Sequence, residues 1–74
     1  MAAFFITSTM VNNGKAFQFK FETESAHSVS ELVELLNSGG FVIGKRRAFD
    51  RSNGEVLEDI AICSTVVNMI QSSR

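Results

Sequence analysis

The pair Asn13-Gly14, followed by Phe17, Phe19 and Phe21 alternating with Gln18, Lys20 and Glu22, constrains this chain more than any other feature. Asn-Gly takes the positive φ angles of a type I′ turn at little steric cost, and an apolar residue at every second position marks a strand with one buried face. The pattern predicts a hairpin of Ala3 to Val11 with Ala16 to Glu24, joined through Asn12 to Lys15. With Asn13 and Gly14 as the two turn residues, Met10 opposes Phe17, Ser8 opposes Phe19, Ile6 opposes Phe21 and Phe4 opposes Thr23. That register gathers nearly all the apolar side chains on one face. Phe5, Thr7, Thr9 and Val11 then share the other face with Gln18, Lys20 and Glu22.

After a polar break at Thr23 to His27, Ser28 and Glu31 have the spacing of a capping box, in which hydroxyl and carboxylate each satisfy a free backbone N–H. Val29, Leu32, Val33 and Leu36 continue at helical spacing, Leu35 widens the stripe, and Gly39-Gly40 supplies a left-handed stop. A helix this short needs a sheet to pack against.

Phe41 to Phe49 reads as a third strand and Val56 to about Thr65 as a fourth, with Arg51-Ser52-Asn53-Gly54 between them. A two-residue Asn53-Gly54 turn would set Arg47 against Ile60 and Phe49 against Glu58. A four-residue loop sets Arg47 against Glu58, Arg46 against Asp59 and Phe49 against Val56, and is preferred because opposed charges and matched apolar pairs stabilise facing strands. Val66 to Ile70 is compatible with a strand extension or with a short helical turn after Ser64. The expected fold is therefore one α+β domain over residues 1–74: a four-stranded antiparallel sheet in ββαββ order, one helix on one face, and a C-terminal helical turn as an option.

A single helix covers a single face. The other is expected to carry Phe5, Val11, Val42, Ala48, Leu57, Ala61 and Cys63, an apolar surface that invites a second copy or another partner. A short chain of 74 residues with 45% hydrophobic content and few charges has apolar surface to spare and is near the lower limit of independent stability. Two-fold homodimers are the simplest remedy.

Seven basic and eight acidic residues give a net charge of −1, which argues against a generic polyanion binder. The one concentration of charge is Lys45, Arg46 and Arg47, with Arg51 just beyond. It reads either as a contact for phosphates or an acidic protein surface, or as cross-strand partners of Glu58 and Asp59 and protection of a sheet edge. Phe41 and Phe49 flank it as in sheets that stack single-stranded bases, yet they share parity with Ile43, so the core is the economical place for all three.

His27, the sole histidine, has no nucleophile or orienting carboxylate arranged with it, and a lone His and a lone Cys fall short of a zinc ligand set. Cys63 lies in the apolar run Ile60-Ala61-Ile62, the setting of an inert buried thiol, and a single cysteine suits a reducing compartment. Glu55, Glu58 and Asp59 are adequately explained by a turn and cross-strand pairs, and the glycine spacing matches no phosphate loop. The start of the chain resembles neither a signal peptide nor a membrane span, so a cytoplasmic location without membrane contact is expected. No enzymatic activity, cofactor or metal is indicated. The expectation is a small non-catalytic module that binds a macromolecule as an adaptor, inhibitor or accessory factor, acting as a homodimer, with nucleic-acid binding through Lys45 to Arg51 as the alternative.

Overall fold

The computed structural model describes the backbone of residues 1–12 and 15–73, and their side chains apart from residues 9–12, 15, 16, 49 and 50. The elements are β1 (Ala2–Asn12), β2 (Lys15–Thr23), α1 (Val29–Asn37), β3 (Val42–Asp50), β4 (Gly54–Ile62), a 3-10 turn (Ser64–Val66) and β5 (Val67–Ser72). The expected Asn13-Gly14 turn lies outside the described residues.

The sheet has five strands in the order β4-β3-β2-β1-β5, every neighbouring pair antiparallel, which corrects the expected four-stranded ββαββ sheet. The error lies in the C-terminal segment, whose apolar spacing is ambiguous. A single 3-10 turn forms, but the strand is not an extension of β4: Val67–Ser72 is a separate fifth strand that satisfies the outer edge of β1. That connection also dictates shape. The five Cα steps from Ile62 to Val67 reach about 19 Å at most. On a flat sheet the four intervening strand spacings alone would need about 19 Å, with β4 and β5 offset along the strands besides. The sheet must therefore twist until the end of β4 approaches the start of β5. Register irregularities beside Ser8, towards both β2 and β5, are the kind that increase local twist.

In the first hairpin the pairs Asn12–Lys15 and Val11–Ala16 follow the register the turn demands, but beyond the irregularity Ser8 pairs with Phe17, Ile6 with Phe19 and Phe4 with Phe21. The ladder has slipped by two residues from the one read in the sequence. An even slip leaves each side chain on its face, so Phe4, Ile6, Phe19 and Phe21 remain together.

The second hairpin differs by one residue, which is decisive for faces. Arg46 opposes Glu58, Lys45 opposes Asp59 and Phe49 opposes Glu55, so neither of the two weighed registers is adopted. The turn closes at Gly54, whose φ of +75° explains why glycine stands there. Since Phe21 pairs with Arg46, the residues of β3 on the helix side are Val42, Gly44, Arg46 and Ala48.

Helix α1 begins as the sequence indicates: Ser28 is extended and its Oγ accepts the Glu31 N–H at 3.2 Å. Gly39, at φ +87°, ends it. Leu32 and Leu36 descend onto Phe4, Ile6, Phe21, Val42 and Ile62 to form the core, with Val66, Val67 and Ile70 packed around its margin. Thr23 is buried beside it and satisfied, its hydroxyl donating to the Ile43 carbonyl at 2.9 Å and accepting the Ser25 N–H at 3.0 Å. A helix of nine residues is about 14 Å long, whereas the nine-residue strands span about 30 Å and the eleven residues of β1 about 36 Å. The turn-ward part of the helix-side face is left uncovered.

Candidate functional site

Two surfaces emerge, one on the open face of the sheet and one between its hairpins. On the face away from α1, Ile43 and Phe41 are each 71% exposed and Leu57 51%. The expectation that Phe41 and Ile43 pack inward is overturned by the pairing of the buried Phe21 with Arg46, which turns Val42 and Gly44 towards the helix. The opposite correction applies to Val42, which is 4% exposed beneath the helix. Ala48 also leaves the expected surface, since it shares the side of Arg46. Phe5, Leu57 and Ala61 do lie on the open face, Ala61 directly opposite Ile43. The side chains of Val11 and Phe49 lie outside the described residues.

The basic run is distributed across both faces and paired. Lys45 Nζ reaches Asp59 Oδ1 at 2.6 Å, Arg46 Nη2 reaches Glu58 Oε1 at 2.9 Å, and Arg47 pairs with Glu55. Arg47 Nε also lies 3.2 Å from Glu22 Oε2, close enough for an ion pair but without the alignment of a hydrogen bond. The hydrogen bond that Arg47 donates to Glu55, reinforced by the charges of Glu22 and Glu55, raises the Arg47 pKa further above its ordinary value. Arg51 stands exposed in the turn. Lys45 and Arg47 belong to the open face and Arg46 to the helix side, so the linear run presents no continuous basic stripe.

Between the two hairpins a cleft opens that strand patterning does not reveal, lined by side chains from both faces of the sheet. β2 and β3 share only the pairs Phe21–Arg46 and Glu22–Lys45, and beyond them the two hairpins diverge. The resulting space of about 570 Å3 is lined by Phe17, Phe19, Lys20, Arg46, Arg47 and Glu58 among others. The Arg46 guanidinium carbon is 5.6 Å from the Phe17 ring centroid, within cation–π range, and Phe17 lies 5.8 Å from Phe19. Arg46 Nε is buried without a hydrogen-bond partner. Strand periodicity alone gave no sign of this divergence, because it depends on where pairing between hairpins stops.

His27 is exposed in the bend before α1. Cys63 is partly exposed at the end of β4 rather than sealed in the core; its Sγ lies 3.0 Å from Thr65 Oγ1, and hydrogen bonds from the Thr65 hydroxyl first, then from the Thr65 and Val66 backbone, lower the thiol pKa. Among the described residues no group of three His, Cys, Asp or Glu side chains is placed to hold a metal ion, and no helix is long and apolar enough to cross a membrane. No family model, curated protein or solved structure matches the chain.

Proposed function

We propose that this chain is a non-catalytic binding module, acting as a homodimer, whose open sheet face engages a protein partner. The observation that carries the reading is the exposure of Phe41, Ile43 and Leu57 on that face, beside charges that neutralise one another. A protein surface with an apolar centre and balanced charge complements such a face, whereas a polyanion needs unpaired cations. The pairing of Lys45, Arg46 and Arg47 with carboxylates weighs against nucleic acid as the partner.

The test is solution mass by light-scattering chromatography at low and high salt, with and without oligonucleotides of mixed sequence. The expected result is a salt-resistant dimer that ignores the oligonucleotides. An oligonucleotide complex that weakens steeply as salt rises would overturn the reading and make the hairpin around Arg47 and Arg51 a phosphate-binding site.

A further inference from the structure

We propose that β5 is the dimerisation edge, pairing antiparallel with β5 of a second copy to form one continuous ten-stranded sheet. This deepens the homodimer reading above and rests on it for the existence of a dimer, independently of what the open face binds.

The two outer edges of the sheet are chemically unlike. β4 carries the charged side chains Glu55, Glu58 and Asp59, each already held in an ion pair with β3; β5, with the sequence VNMIQS, has no charge and no proline. Charge is a common means by which an edge strand avoids further pairing, and β5 lacks it. The outward backbone groups can be assigned. Ser73 N–H donates to the Ala3 carbonyl at 3.1 Å, so by antiparallel alternation the backbones of Gln71 and Met69 also turn towards β1, while those of Ile70 and Ser72 turn outward.

A two-fold axis perpendicular to the sheet and centred on Ile70 sets Ile70 against its own copy and Met69 against Gln71 of the second copy. Because such an axis keeps both helices on one side, the groove between α1 and β5 also meets its counterpart. That groove, about 240 Å3 and lined in part by Val29, Val33, Asn37, Val67 and Met69, has no charged residue in its lining. Val33 is 39% exposed and Met69 47%, so both have surface to lose. Uncharged side chains thus meet uncharged side chains along β5 and the groove beside it. A second copy fits for a further reason: a two-fold β5 pairing uses the same edge of both copies and closes on itself, leaving the charged β4 edges at the two ends.

Lysine at both Met69 and Gln71 places like charges opposite one another across the axis. The expected result is a folded chain by circular dichroism whose average mass shifts from twice 8.1 kDa towards 8.1 kDa at concentrations a few times the parent's dissociation constant. Its dissociation constant should rise by about tenfold. Mixing it with the variant carrying glutamate at both positions should restore a dimer containing one copy of each. Ile43→Glu, on the open face, should leave the mass unchanged. A parent chain that is monomeric throughout overturns both this proposal and the homodimer reading. A dissociation constant left unchanged by both lysines, or a dimer that Ile43→Glu dissociates, overturns only the assignment to β5.

Discussion

The Phe21 ring lies against Gly44 across the β2–β3 junction, so closely that a Cβ built on the glycine would come 2.6 Å from Phe21 Cζ and would also collide with the Glu22 carbonyl oxygen. Phe21 is fully buried, and β2 and β3 are paired at only two positions, so this contact sits where the two hairpins are joined. Gly44→Ala should cost about 2 kcal/mol through forced displacement of ring and backbone. Urea denaturation measures it. Adding Phe21→Leu should recover part of the ring clash, giving a double variant less destabilised than the sum of its parts, whereas strict additivity would show that the ring is not what the methyl group meets.

Leu32 is fully buried between α1 and the sheet. Truncation to alanine should lower unfolding free energy by about 2–5 kcal/mol, a severe loss for a chain of this size. Ser28→Ala removes only the acceptor for the Glu31 N–H and should cost about 1 kcal/mol. If thermal or urea unfolding ranks these two the other way round, the helix is not held mainly by its packing.

The ion pairs of β3 should contribute little to stability despite their number. Lys45 and Asp59 are 42% and 83% exposed at the side chain, and water and salt screen such pairs. Asp59→Asn is expected to change unfolding free energy by less than about 1 kcal/mol, with the difference shrinking as salt is added. A large, salt-independent loss would mean that Lys45 and Asp59 hold the strands in register.

The Cys63 thiol, its pKa lowered chiefly by the Thr65 hydroxyl, should react with iodoacetamide along a pH profile displaced below that of an ordinary thiol. Thr65→Val should move the profile back upward. For stability the sign follows from linkage: a pKa lower in the folded chain favours the folded state above the unfolded thiol's pKa, and this contribution disappears as pH falls through the folded value. Coincident alkylation profiles for the parent and Thr65→Val would exclude the hydroxyl as the cause.

Particular residues show how far the sequence could be read. Local signals act over a few residues and survive any tertiary context: the Ser28 cap, the α1 stripe ending at Gly39, and the alternation of Phe17, Phe19 and Phe21. The cross-strand partners of Lys45 and Arg46 were legible only as acids of β4, because several registers offer them a carboxylate. Which face Val42 and Ile43 adopt depends on the pairing of Phe21 with Arg46 between the hairpins, and which β4 residues share that face depends on a single residue in the Arg51 to Gly54 turn. The sequence pattern did not distinguish that turn from its neighbours in length, and a one-residue difference exchanges core for surface.

The amino-acid sequence by itself determined the first hairpin's faces, the helix and its limits, and the presence of two further strands, since each follows from backbone propensity and short-range apolar spacing. The tertiary structure decided the rest: that Val67 to Ser72 joins β1, that the hairpins diverge beyond Phe21 and Arg46, and that Phe41 and Ile43 face outward. Those outcomes are set by competition among distant strand edges for backbone hydrogen bonds and by the length of α1 against the sheet it covers, quantities that no local stretch of residues contains.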